Sequence, residues 1–201
     1  MAGYPCDSYD SNGLSTERVM LDLSSLDCSD PSVSYTNKSK KALPGGLDVE
    51  DLSDELLKRS RLFEDPEFPA QSSSLAYSRK APRHIKWARP KEISDDPKFI
   101  VDGSSRFDLD QGDLGNCWFV AAASLLATKP ALFRKVVPPD MDFGGRYCGI
   151  FRFYFWRFGQ WTEVVIDDRL PVQYGTNLVF SRNIHQPNEF WCALLEKAYA
   201  K

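Results

Sequence analysis

The stretch D110-QGDLGNCWFVAAASLL-A127 decides how this chain is to be read. A loop with two glycines, Gly112 and Gly115, turns into an apolar run at Cys117, and Trp118 follows directly. That pattern predicts a helix opened by Cys117 and running to about Thr128. A thiol at a helix N-terminus meets the positive end of the macrodipole, which favours thiolate. The preceding glycines let the Cys117 backbone N–H point at a reacting carbonyl oxygen, and Gln111 offers a side-chain amide donor nearby. Two convergent donors make an oxyanion hole. The same residues also fit a blander reading, in which Cys117 is a small core residue and Gln111 belongs to a surface turn.

Outward from this stretch the chain divides in two. Residues 1–58 form the first part, with nine serines in the first 40 residues and no Phe or Trp in the first 60. So little apolar surface cannot offset the entropy of ordering, so this part is expected to be a disordered tail with one short helix at DVEDLSDELLKRS. Residues 59–201 hold all five tryptophans and read as globular. The stretch APRHIKWARPKEISDDPKFIVDG, with three prolines, predicts an extended segment lying over a surface. Pro130 suits the first turn of a short helix, PALFRKVV. Ile150–Arg157, a turn at RFGQ and Trp161–Ile166 predict a β-hairpin. In PNEFWCALLEKAYAK a last helix is expected, with Asn188 as N-cap and Glu189 in its first turn. The fold class is α+β.

Composition excludes several functions. A net charge of −3 and a pI near 5.5 give no case for nucleic acid. No apolar run reaches the roughly 18 residues of a membrane span. The five cysteines, at 6, 28, 117, 148 and 192, are odd in number and include no CxxC pair. That argues against a disulfide framework or zinc site and favours the reducing cytoplasm.

DQGDLGNCWFVAA closely resembles the nucleophile motif of the calpains, papain-like, calcium-dependent cysteine endopeptidases. The resemblance continues through LFEDPEFPA, WARPKEI, IVDGSSRFD, GIFRFYFWRFGQWTEVVIDDRLP and NEFWCALLEKAYAK, over roughly residues 61–201. Most calpains carry aspartate before the cysteine; this chain has Asn116, and GNCWFVAA and RFGQW are similar to the atypical calpains without EF-hands. The resemblance implies the first, cysteine-bearing subdomain of a papain-like core, with Cys117 as nucleophile and Gln111 as oxyanion-hole donor. It also implies a calcium site from the carbonyls of Val101 and Gly103 and the carboxylates of Asp108 and Glu189. Without it, those carboxylates read as a turn former and a helix N-terminal charge.

Such a mechanism needs an imidazole and an Asn or Asp to hold it. The histidines here are His84 and His185, and neither matches the family's position. In papain-like enzymes these partners follow the cysteine by roughly 130–150 residues, whereas 201 − 117 = 84 residues follow it here. The chain is therefore expected to be a fragment, inactive alone, whose partners are protein substrates and the second half of the core. The alternative is a non-catalytic binding or regulatory module derived from a calpain core.

Overall fold

The computed structural model describes residues 48–75, 84–101, 109–112 and 116–201, and within them helices and antiparallel strands mix in an α+β arrangement. Most of the expected tail lies outside these residues. Its predicted short helix is α1 (Val49–Lys58), opened by Asp48, whose side chain accepts the Glu50 N–H at 3.1 Å. No α1 residue is buried, and Asp54 meets Arg146 in an exposed ion pair.

Strand β1 (Lys86–Ala88) and helix α2 (Pro90–Ile93) follow, then β2 (Leu109–Asp110). The stretch expected to lie extended over a surface is thus partly built into the fold. Its Lys86–Ala88 finds a ladder partner in β5 (Leu170–Gln173), and Pro90 starts a helical turn, as a residue lacking an N–H can. Helix α3 (Cys117–Ala127) and helix α4 (Pro130–Val136) form where the sequence predicts them. Phe133 of α4 packs edge-on against Trp191 with centroids 5.1 Å apart.

The hairpin is β3 (Ile150–Arg157) with β4 (Gln160–Asp167). Its two-residue turn puts Phe158 at φ 49° and Gly159 at φ 79°, the left-handed pair that matches strand twist. Period-2 alternation sends Phe151 and Phe153 of β3 with Ile166 of β4 into the core, while Trp156 and Trp161 pair across the tip. Two short strands complete the pairing: β6 (Asn177–Leu178) beside β5, and β7 (Arg182–Asn183) beside β2.

Helix α5 (Trp191–Ala200) packs against β3, β4 and β5 and is buried from Trp191 to Ala198. Its start corrects the expected one. Phe190, not Asn188, is the N-cap, and Glu189 stands before the helix in a parallel bridge to Lys98. The backbone N–H groups of Phe190 and Trp191 go to the carbonyls of Lys98 and Phe99. A segment paired this way cannot also wind into a first turn. Burying side chains such as Trp191 and Leu194 is worth about 1.5–3 kcal/mol each, which outweighs the local capping preference of Asn188.

Candidate active site

Cys117 is the first residue of α3, and it is exposed. Its neighbours at the helix start behave unusually. Asparagine at an N-cap ordinarily turns its side chain back to accept an N–H of the first turn. Asn116 makes no such bond; only its backbone carbonyl accepts from Phe119, at 2.8 Å, and from Val120. Its side-chain amide instead donates to Oε1 of Glu196 on α5. The second oxygen of Glu196 accepts the Ser181 N–H at 2.7 Å. Glu196 is 8% exposed, and burial pushes its carboxyl above the usual range.

Gln111 and Gly112, on the other side of Asn116 in the sequence, are equally constrained. Gln111 leaves β2, which packs beside α3, and its Oε1 is buried with no hydrogen-bond partner among the described residues. Gly112 has φ 63°, and a Cβ there would lie 2.4 Å from the Val179 carbonyl oxygen and 2.6 Å from that of Phe180. Only glycine both adopts that conformation and allows that approach. The expected oxyanion-hole pair is therefore carried by two fixed supports, α3 and β2. Sequence reasoning missed Glu196 and Ser181, although an acid directly after the apolar run WCALL, in a helix expected to pack, is a signal of a buried polar role.

Of the four expected calcium ligands, Gly103 and Asp108 lie outside the described residues. The other two are brought together, since the Val101 N–H donates to Glu189 Oε1 at 2.8 Å. Asn183 donates to Glu189 Oε2 at 2.7 Å, and no basic side chain among the described residues neutralises this buried carboxylate. Among the described residues no three His, Cys, Asp or Glu side chains cluster as a metal site. Both histidines are exposed, His185 within the loop that follows β7, and no hydrogen bond links either imidazole to Cys117.

An aromatic surface begins at Trp118, the residue after Cys117. Trp118 and Tyr199 are each 55% exposed and meet edge-to-face at 5.2 Å. They border an apolar pocket of about 300 Å³ lined also by Phe68, Trp87, Leu178 and Phe180. The other thiols differ in kind: Cys148 and Cys192 are buried, and burial pushes the Cys192 thiol far up, keeping it neutral and inert. Among the described cysteines only Cys117 is exposed. No helix among the described residues is long and apolar enough to cross a membrane.

Residues 63–201 match the model of the calpain family of cysteine proteases. The chain is 53% identical over 154 residues to Calpain-B of Drosophila melanogaster, a match that covers 77% of this chain and 16% of that protein. It is 49% identical over 159 residues to the Calpain-2 catalytic subunit of Mus musculus, covering 77% of the chain and 22% of the relative. With Calpain-5 of Mus musculus it shares 49% identity over 151 residues, 72% of this chain and 23% of that one. The chain thus spans about a sixth to a quarter of the length of these relatives.

Proposed function

The chain belongs to the calpain family of cysteine proteases, and from that premise we propose that it carries the nucleophile half of a calcium-dependent endopeptidase acting on intracellular proteins. The observation that carries the reading is the exposed thiol of Cys117 at the first position of α3, with its loop anchored at both ends. The Cys117 thiolate attacks the scissile carbonyl carbon. The resulting oxyanion is held by the Cys117 backbone N–H and the Gln111 side-chain amide. The imidazole that takes the thiol proton and returns it to the leaving amine comes from the second half of the core. The exposed Trp118–Tyr199 surface, which begins one residue after Cys117, supports closure of that half at this end of α3.

Calcium would be held by the carbonyls of Val101 and Gly103 and the carboxylates of Asp108 and Glu189. The chemistry of Glu189 fits, because a buried carboxylate with no basic partner among the described residues is a hard oxygen donor suited to that ion. Bound there, the ion would supply positive charge that holds Val101 and Asp108 to Glu189.

The test is complementation. Purified alone, the 201-residue chain should not cleave a peptide substrate at any calcium level. With the second half-core of a relative added in trans, cleavage should appear, and Cys117→Ser should remove it. Cleavage that survives Cys117→Ser would reject the nucleophile assignment. A complex that forms without any cleavage would favour a non-catalytic binding module.

A further inference from the structure

We propose that Glu196 is a positioning residue for the nucleophile: its carboxylate holds the Asn116 end of the loop and thereby keeps the Cys117 thiol aligned with the N-terminus of α3. The proposal rests on the reading of Cys117 as nucleophile. Three observations carry it. Asn116, at the position best suited to cap α3, gives its amide to Glu196 and leaves the helix end uncapped by its side chain. Glu196 spends both oxygens on the site, one on Asn116 and one on the Ser181 N–H. Gly112, at the loop's other end, rests on the carbonyls of Val179 and Phe180, so both ends of the loop are referred to the same segment, 179–181.

Packing alone does not call for this arrangement. Glu196 lies on a helix buried from Trp191 to Ala198, where an apolar residue would fill the space without desolvating a charge. Among the described residues no basic side chain pairs with it. Lys197, its neighbour, turns to Asp167 instead. What the carboxylate supplies, and an apolar residue cannot, is two acceptors facing two amide donors.

That donor–acceptor pattern makes a specific test possible. In Glu196→Gln one donor, of Asn116 or of Ser181, must face an amide NH2. In Asn116→Asp two carboxylates face each other. In the double variant Asn116→Asp/Glu196→Gln the Gln amide donates to the Asp and its oxygen accepts the Ser181 N–H, with the pair's charge unchanged. The measurement is site-resolved alkylation of the full chain by iodoacetamide across neutral to alkaline pH. Each single variant should move the Cys117 profile to higher pH and slow it at neutral pH by roughly two- to fivefold, the size of a helix-terminus effect. The double variant should recover most of the loss, while Cys148 and Cys192 stay protected throughout. Should the single variants expose those two thiols, Asn116→Ser, which caps α3 well but is too short to bridge to Glu196, should still slow Cys117 in a folded chain. An unchanged or faster Cys117 in Glu196→Gln, as a purely electrostatic role requires, overturns the proposal. So do single losses that the double variant does not recover. Failure of the underlying reading is seen separately, as complemented cleavage that persists in Cys117→Ser.

Discussion

Adjacent residues of α5 serve two corners of the molecule in opposite ways. Lys197 donates to the Asp167 carboxylate at 2.6 Å and to the backbone carbonyls of Asp167 and Arg169, all buried or nearly so. The same Asp167 accepts from Arg169 and from the Asp65 N–H, and Lys201 pairs with Asp65. This corner is redundantly paired, and it joins α5 to the β4–β5 corner and to the segment at Asp65. Glu196, one residue earlier, makes two bonds to amides and reaches Asn116, directly before the exposed Cys117. The difference is one of pairing: several cations and amides converge on the frame, whereas two amide bonds hold the corner beside the exposed Cys117.

The comparison breaks most visibly at the frame. Lys197→Met removes one of the two cations paired with the buried Asp167 carboxylate, leaving Arg169, and should destabilise by about 3 kcal/mol, measured by denaturant unfolding. The pH response should change too. Burial works to raise the Asp167 carboxyl, but Arg169 and Lys197 outweigh it and hold it below the ordinary value. A lowered carboxyl contributes stability that is present above its unfolded value and lost as pH falls through its folded one. Removing the Lys197 ammonium lifts the folded value, so acid unfolding of the variant should begin at higher pH. An unshifted acid midpoint would mean that Lys197 does not hold Asp167.

At the Cys117 corner, Gly112→Ala should cost about 2 kcal/mol, from left-handed strain plus the clash with the carbonyls of Val179 and Phe180. Cys117 alkylation should slow along with it. A neutral result would release the loop from segment 179–180 and leave Glu196 as its remaining anchor.

The smallest effect lies away from both corners. Phe158 sits at φ 49° in the hairpin turn with 94% of its surface exposed, so it carries left-handed strain and little burial. Phe158→Asn creates an Asn-Gly turn and should stabilise the fold by about 1 kcal/mol, read as a higher melting temperature, with Cys117 reactivity unchanged. A destabilised variant would show that Phe158 makes contacts worth more than the strain.

Elements governed by neighbours along the chain were legible in the residues themselves. Helices α3 and α4 follow from an apolar run and a helix-starting proline, and β3–β4 from aromatic strands around a glycine turn. Motif spacing drew Cys117 and Gln111 together as expected site residues for the same reason, since they lie six positions apart. Pairings between distant segments were not legible. The start of α5 moved because residues 98–99 claim the N–H groups of Phe190 and Trp191, about 90 positions away. Glu189 became a buried acceptor for Val101 and Asn183 instead of a first-turn charge. By itself, then, the sequence determined the local elements, the family and the cysteine that opens α3, because propensity, turn chemistry and motif act over a few residues. Only the tertiary structure decided that Asn116 would leave its own helix uncapped to meet Glu196, 80 residues later, because burial prices each unpaired donor and acceptor by its surroundings in space.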